Sequence, residues 1–223
     1  EETDDLITQV DGDGRFVYVN HVADTVFGVK PDACVGLSAF DFIHPEDRTG
    51  TQEWFANCVA ARVSGATIEN RQVSRTGEVR QMLWTCNFHF GGAGRVLAVN
   101  SIARDITERK RVEEALQKSE QLLNAFFDAS PVGLTIVDDQ LRYARVNESL
   151  AEINGVPVDG HLNKTIRDVL PELAPTIEPM FREVLATGKA ILNLEVSGVI
   201  PKEPGAQRSW IVSYFPVGSQ NSA

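Results

Sequence analysis

The stretch VDGDGRFVYVN, Val10 to Asn20, decides how the rest of the chain is read. Asp11 and Asp13 flank a glycine, as at the start of a calcium loop. Yet Phe16, Val17, Tyr18 and Val19 follow as an apolar run suited to a strand. A calcium loop of the EF-hand type needs oxygen ligands at its first, third and fifth positions. Counted from Asp11, the fifth position is Arg15, a cation where a ligand belongs. The alternative is a Gly-rich polar turn between two strands, a β-hairpin.

The stretch occurs twice, and the second copy settles the choice. TQVDGDGRFVYVN, ending at Asn20, aligns with TIVDDQLRYARVN, ending at Asn147, at an offset of 147 − 20 = 127. At that offset Thr8 meets Thr135, Asp11 meets Asp138, Arg15 meets Arg142 and Phe16 meets Tyr143. Further on, Gly28 meets Gly155 and Asp41 meets Asp168. The second copy reads DDQLR and lacks the Asp-x-Asp spacing. What both copies retain is a polar turn and an extended run, so the hairpin reading holds and calcium is set aside. Self-similarity of this kind predicts two copies of one domain.

Bulk properties narrow the function classes. The chain has 223 residues, room for two modest domains, and 43% hydrophobic residues, enough for their cores. Lys and Arg total 21 against 31 Asp and Glu, a net charge of −10. With no basic cluster, this charge disfavours nucleic acid and direct contact with anionic membranes. There is no long apolar run and no basic-then-apolar leader. Three widely spaced cysteines, Cys34, Cys58 and Cys86, fit neither a disulfide framework nor a zinc site, and suit a reducing cytoplasm.

Within each copy, Asn20 or Asn147 stands where a strand ends and a helix begins, a position for an N-cap. The short helix that follows closes at Gly28 or Gly155, suited to a left-handed C-cap. A longer helix follows in each, TQEWFANCVAARVSG or PMFREVLATGK. ATIENRQVS, the turn RTGE and VRQMLWTCNFHF then read as a long hairpin, with RVLAVNSIAR as a further strand. Alternation puts Met82, Trp84, Cys86 and Phe88 on one face, opposite Gln81, Thr85, Asn87 and His89. The fold class is α+β, a sheet with one face covered by helices.

Between the copies runs DITERKRVEEALQKSEQLLNAFFDAS. Asp105 followed by Glu108 has the spacing of a capping box. Val112, Leu116, Ser119, Leu123 and Phe126 recur at alternating spacings of four and three, a heptad stripe. Such a helix, about 20 residues and roughly 30 Å long, either packs on the neighbouring domains or pairs with a second chain as a coiled coil.

Together VYVN, FIHPEDR, the strand pair around RTGE and the closing RDITERK resemble the PAS domain, and RDITERKRVEEALQKSEQLL resembles the signalling helix of bacterial sensor kinases. The second copy is similar through VNESLAEINGV and WIVSYFPV. The resemblance implies a first PAS domain at 1–106, a connecting signalling helix at 107–126 and a second PAS domain at 127–223. Each would be a five-stranded antiparallel sheet with helices on one face. The second would lack its last strand, since the chain ends where a match to RVLAVNSIAR would begin, leaving an unpaired edge.

PAS domains bind haem, flavin, metabolites or nothing. The region GLSAFDFIHPED has no cysteine for covalent flavin chemistry, and no histidine follows Arg48 on the long helix to ligate haem. Haem and covalent flavin are therefore disfavoured, leaving a small metabolite or no ligand. Candidate pocket residues are Trp54, Cys58, Asn70, Met82, Trp84 and Cys86, with Trp210 and Tyr214 in the second copy. The tryptophans are either stacking surfaces or core, and Asn70 is a polar contact if it faces inward. No catalytic set or metal site stands out, so the fragment reads as a non-enzyme.

The function implied is sensory: the input region of a two-component sensor histidine kinase in the cytoplasm. It would form a homodimer through the helix stripe Val112, Leu116, Ser119, Leu123 and Phe126 and the PAS sheets, and pass a signal to an output domain of the parent chain. The alternatives are a ligand-free interaction module, or the input of a cyclic-dinucleotide enzyme or a phosphatase.

Overall fold

The computed structural model describes residues 4–92 and 94–217. The chain divides into two compact units, 1–117 and 118–223, and each is built around its own apolar cluster.

Unit 1 opens with the hairpin β1 (Leu6–Val10) and β2 (Phe16–Val19). Short helices α1 (Ala23–Phe27) and α2 (Pro31–Cys34) and a 3-10 turn at Ala39–Phe42 follow, then the long helix α3 (Pro45–Ala60). Strands β3 (Gly65–Val73), β4 (Val79–Phe90) and β5 (Val96–Asp105) complete a five-stranded antiparallel sheet in the order β2-β1-β5-β4-β3. The alternation read from β4 is present: Met82, Trp84, Cys86 and Phe88 are buried, while Thr85, Asn87 and His89 are exposed. Phe16, Phe27 and Phe42 meet as tilted rings 4.4–6.1 Å apart beneath the helices.

Helix α4 (Thr107–Ala129) comes next, and none of its residues is buried. The expected capping box does not form as Asp105 with Glu108. Asp105 accepts from the Thr107 N–H at 2.8 Å, and Glu108 lies 3.9 Å from Arg111 instead.

Unit 2 follows the plan of unit 1 at the 127-residue offset. β6 (Thr135–Val137) and β7 (Tyr143–Val146) form its first hairpin, followed by α5 (Glu148–Asn154), α6 (Val158–His161), α7 (Ile166–Val169) and α8 (Ala174–Thr187). β8 (Ile191–Gly198) pairs with β9 (Arg208–Tyr214). In unit 1 the last strand is central, between β1 and β4. Its counterpart would begin at residue 223, outside the described residues. Among the described residues, unit 2 contains two separate two-stranded sheets, β6-β7 and β8-β9.

The turns explain why both hairpins form. The Asp11 carboxylate accepts from the Asp13 and Arg15 N–H groups, both at 2.9 Å, and Asp138 does the same for Gln140 and Arg142. Asp11 thus closes an Asx turn. The residue ending each turn has positive φ: Gly14 at 76° and Leu141 at 59°. Arg15 and Arg142 each donate through Nη1 to a carbonyl 21 residues on, Gly36 and Asn163.

The asparagines depart from the expected symmetry. Asn147 does cap α5, accepting from the Leu150 N–H at 3.0 Å. Asn20 does not cap α1, whose N-cap is Val22 without a side-chain bond. What the two share is the hairpin: Asn20 Oδ1 accepts from Ile7 N–H and Asn147 Oδ1 from Leu134 N–H, at 3.1 and 2.8 Å. The C-caps agree with expectation, Gly28 and Gly155 lying at φ 65° and 72°.

Candidate functional site: a polar cluster inside unit 1

Alternation along β3 turns Asn70 and Gln72 to the inner face, where both are buried. Thr51 reaches the same region from α3, and Trp84 from β4. The order of bonds among them is forced. The Trp84 indole N–H can only donate, and it points at Asn70 Oδ1 at 3.1 Å. This fixes the Asn70 amide, whose Nδ2 donates to Thr51 Oγ1 at 3.3 Å. Gln72 Nε2 must then donate to Asn70 Oδ1, as it does at 2.8 Å. Gln72 Oε1 is left over, and among the described residues no donor reaches it, although the residue is 2% exposed. Turning the Gln72 amide over would set one carbonyl against another. Arg48 Nε and Arg80 Nε are also buried without acceptors, but Arg48 Nη2 donates to the Asp41 and Ile43 carbonyls, and both terminal nitrogens of Arg80 are bonded, to Asp105 and Glu78.

The pocket residues expected from sequence fall into two sets. Trp54, Cys58, Met82, Trp84 and Cys86 join one apolar cluster in unit 1, with Asn70 inward among them. Trp210 packs against the separate cluster of unit 2, and the buried Tyr214 meets Phe181, which also packs there, edge to face at 4.6 Å. Burial pushes the Tyr214 phenol up to about 12. Burial also raises the Cys86 thiol, against a hydrogen bond from the Ser101 hydroxyl at 3.2 Å, and raises Cys34 and Cys58. All three thiols are thus held protonated and away from solvent. Thr51 and Gln72 were missed in the sequence. The β3 alternation that places Asn70 inward also places Gln72, and was the available signal.

His44 and His161 are accounted for structurally. His44 Nδ1 caps α3, accepting from the Glu46 N–H at 3.4 Å. His161 is fully buried, donating from Nδ1 to the Pro157 carbonyl and accepting at Nε2 from Asn154, both at 3.0 Å.

The sheet of unit 1 is bonded to the start of α4. Ile106 N–H donates to Gln81 O at 2.8 Å, and Gln81 N–H donates to Thr107 Oγ1 at 2.9 Å. Arg80 pairs with Asp105 at 2.8 Å, and Lys110 with Glu69 at 2.7 Å. Glu69 immediately precedes Asn70 on β3, on the opposite face. At the other end of α4, Arg145 of β7 bonds Asn124 and Asp128 and lies 4.1 Å over the Phe127 ring. The stripe residues Val112, Leu116, Leu123 and Phe126 are 58%, 59%, 65% and 76% exposed, and Ser119 is exposed with them. No described helix is long and apolar enough to cross a membrane.

Several solved structures are similar to parts of this chain. Among solved structures, the PAS domain of a Colwellia psychrerythraea protein is similar at 21% identity and TM-score 0.43, over 48% of this chain and 89% of that one. A sensory box histidine kinase/response regulator from Burkholderia thailandensis is similar at 21% identity and TM-score 0.47, over 54% and 91%. The N-terminal domain of a diguanylate cyclase with a PAS/PAC sensor, from Marinobacter aquaeolei, is similar at 15% and 0.43, over 48% and 98%. No curated protein matches. The family model described as PAS fold matches residues 1–111 and again 127–221, and the chain belongs to the PAS-fold family.

Proposed function

We propose that the chain is the sensory and dimerisation module of a bacterial signalling protein, the cytoplasmic input region of a sensor histidine kinase. In this reading two PAS domains stand in tandem, 1–106 and 127–223, joined by the signalling helix 107–126. The chain itself catalyses nothing and acts on an output domain of its parent protein. The observation that carries the reading is the α4 stripe: Val112, Leu116, Leu123 and Phe126 expose large apolar side chains at heptad spacing. Exposed stripes of this kind lose water by pairing. The bonds from β3 and β4 to the first turns of α4 supply a route by which a change inside unit 1 reaches that helix. A ligand that favours one packing of the sheet and helix shifts the population of helix registers between partner chains.

Sedimentation of the intact chain tests the dimer. The parent should be dimeric, and Leu116→Asp or Leu123→Asp should be monomeric with unchanged helical content. Equal association states in parent and variants would sink the coiled-coil reading. A second reading, a ligand-free module that binds protein partners, draws on the β8-β9 hairpin, where Leu192, Ile211 and Phe215 are exposed in or beside the strands. An absorption spectrum and mass spectrometry of material released on denaturation separate the two.

A further inference from the structure

We infer that Glu69 of β3 controls the pairing of α4 with a second copy of the chain, by holding Arg109 out of the seam between the two helices. The inference rests on the dimer reading above and adds its regulation. Arg109 precedes Leu116 by 116 − 109 = 7 residues and Leu123 by 123 − 109 = 14, so all three share one heptad position. Of the three, Arg109 alone is charged. Its guanidinium is drawn aside in the structure. Nη2 lies 3.6 Å from Glu69 Oε1, and Nε lies 3.6 Å from Glu113 Oε1. Glu69 also holds Lys110 Nζ at 2.7 Å, but Lys110 stands outside the heptad stripe. Glu113 is part of α4 and moves with it, so Glu69 is the group that ties Arg109 to the sheet.

The stripe itself sets the orientation of the pair. It is thin at its start, where Val112 and Leu116 precede Ser119, and full at its end, where Leu122, Leu123 and Phe126 are exposed together. A parallel pair joins the two full ends, whereas an antiparallel pair sets each against the polar end of its partner. The pairing is therefore parallel, and residues of one heptad position face their own copies. Two Arg109 guanidinium groups free to enter the seam would meet there, and like charges taken out of water repel. Held by Glu69, they stay at the margin and let the turn that carries Val112 close. A shift of β3 against α4 releases both charges into the seam. The first turns of the pair then open, while Leu122, Leu123 and Phe126 keep the chains together.

The test is the dimer dissociation constant of the intact chain, measured by sedimentation equilibrium. Glu69→Gln should weaken the dimer about fivefold, since two exposed ion pairs are lost per dimer. Arg109→Leu should tighten it about tenfold by completing the apolar seam. In that background Glu69→Gln should have no effect, because no charge is left to restrain. Lys110→Gln, which breaks the shorter of the two contacts to Glu69, should leave the constant within about twofold of the parent. If Glu69 merely fastened α4 to the sheet, Lys110→Gln would weaken the dimer as much, and the Glu69→Gln effect would survive Arg109→Leu. Orientation is read from Val112→Cys, which should form a disulfide between chains under mild oxidation. A Glu69→Gln effect equal in both backgrounds, none in either, a Lys110→Gln variant as weak as Glu69→Gln, or a Val112→Cys dimer that does not cross-link would overturn the inference. A parent chain that is monomeric at every concentration would overturn the dimer reading and the inference with it. A dimer without coupling between Glu69 and Arg109 removes the latch and leaves the dimer reading standing.

Discussion

Asn147 shows how much structure one side chain can hold. Its Oδ1 accepts from both Leu134 and Leu150 N–H groups, and its Nδ2 reaches the Phe127, Ser130 and Val132 carbonyls. Asn147→Ala should destabilise unit 2 by about 2 kcal/mol, since it strands several part-buried backbone groups at once. Asn20→Ala should cost unit 1 less, because Asn20 closes the hairpin without capping a helix. Urea denaturation followed unit by unit would show the order, and equal losses would refute it. Gln72 makes the opposite prediction. Without added ligand, Gln72→Met should raise the thermal midpoint of unit 1 by several degrees. Removing an unsatisfied acceptor gains roughly 1 kcal/mol after the lost bond to Asn70 is deducted. A lowered midpoint in ligand-free protein would mean that the carbonyl is already satisfied. The Asp11 turn and the hairpin were legible in the sequence because an aspartate at a turn acts on its own next few residues. The Gln72 defect was not, because it depends on three other elements.

At the scale of elements, α3 is held to β3 by a clasp. His44 N–H donates to the Arg71 carbonyl at 2.8 Å, Arg71 N–H donates to Asp47 Oδ2 at 2.8 Å, and the Arg71 guanidinium grips Asp47 and Glu46. The side-chain bond from Arg71 holds the Asp47 carboxyl below its ordinary value. Its native pKa therefore lies below the unfolded value of about 3.9, so the unfolded chain takes up the proton first. The stabilisation is complete above about pH 5 and is lost as pH falls through the native pKa. Asp47→Asn should reduce stability at pH 7 and flatten its acid dependence, as urea midpoints at pH 7 and pH 4 would show. An unchanged acid slope would assign the loss to other carboxylates. The α4 stripe was readable from heptad spacing, whereas the ties of α4 to β3 and β4 needed the fold to bring Glu69 and Arg80 beside it.

At the scale of the molecule, the two units differ in their sheets. β4 of unit 1 is bonded on both sides, by β3 and β5, whereas among the described residues β9 of unit 2 pairs only with β8. Hydrogen exchange should therefore find the β4 amides among the most protected, and alternate amides of β9 fast. Uniform protection along β9 would mean that a further strand pairs with it in solution. The sequence by itself determined the repeat, the hairpins, the glycine helix ends and the inward face of β4. Each of these depends on turn chemistry or periodicity within a few residues. Only the tertiary structure decided that the last strand of unit 1 lies at the centre of its sheet. β1 and β5 are far apart in the chain, and their pairing, Leu6 with Ala103, is set by closing the whole unit around its core. For the same reason it alone could show that Asn70 and Gln72 meet Thr51 and Trp84 with one carbonyl left over. The direction of a buried amide is dictated by the donors that other elements bring to it.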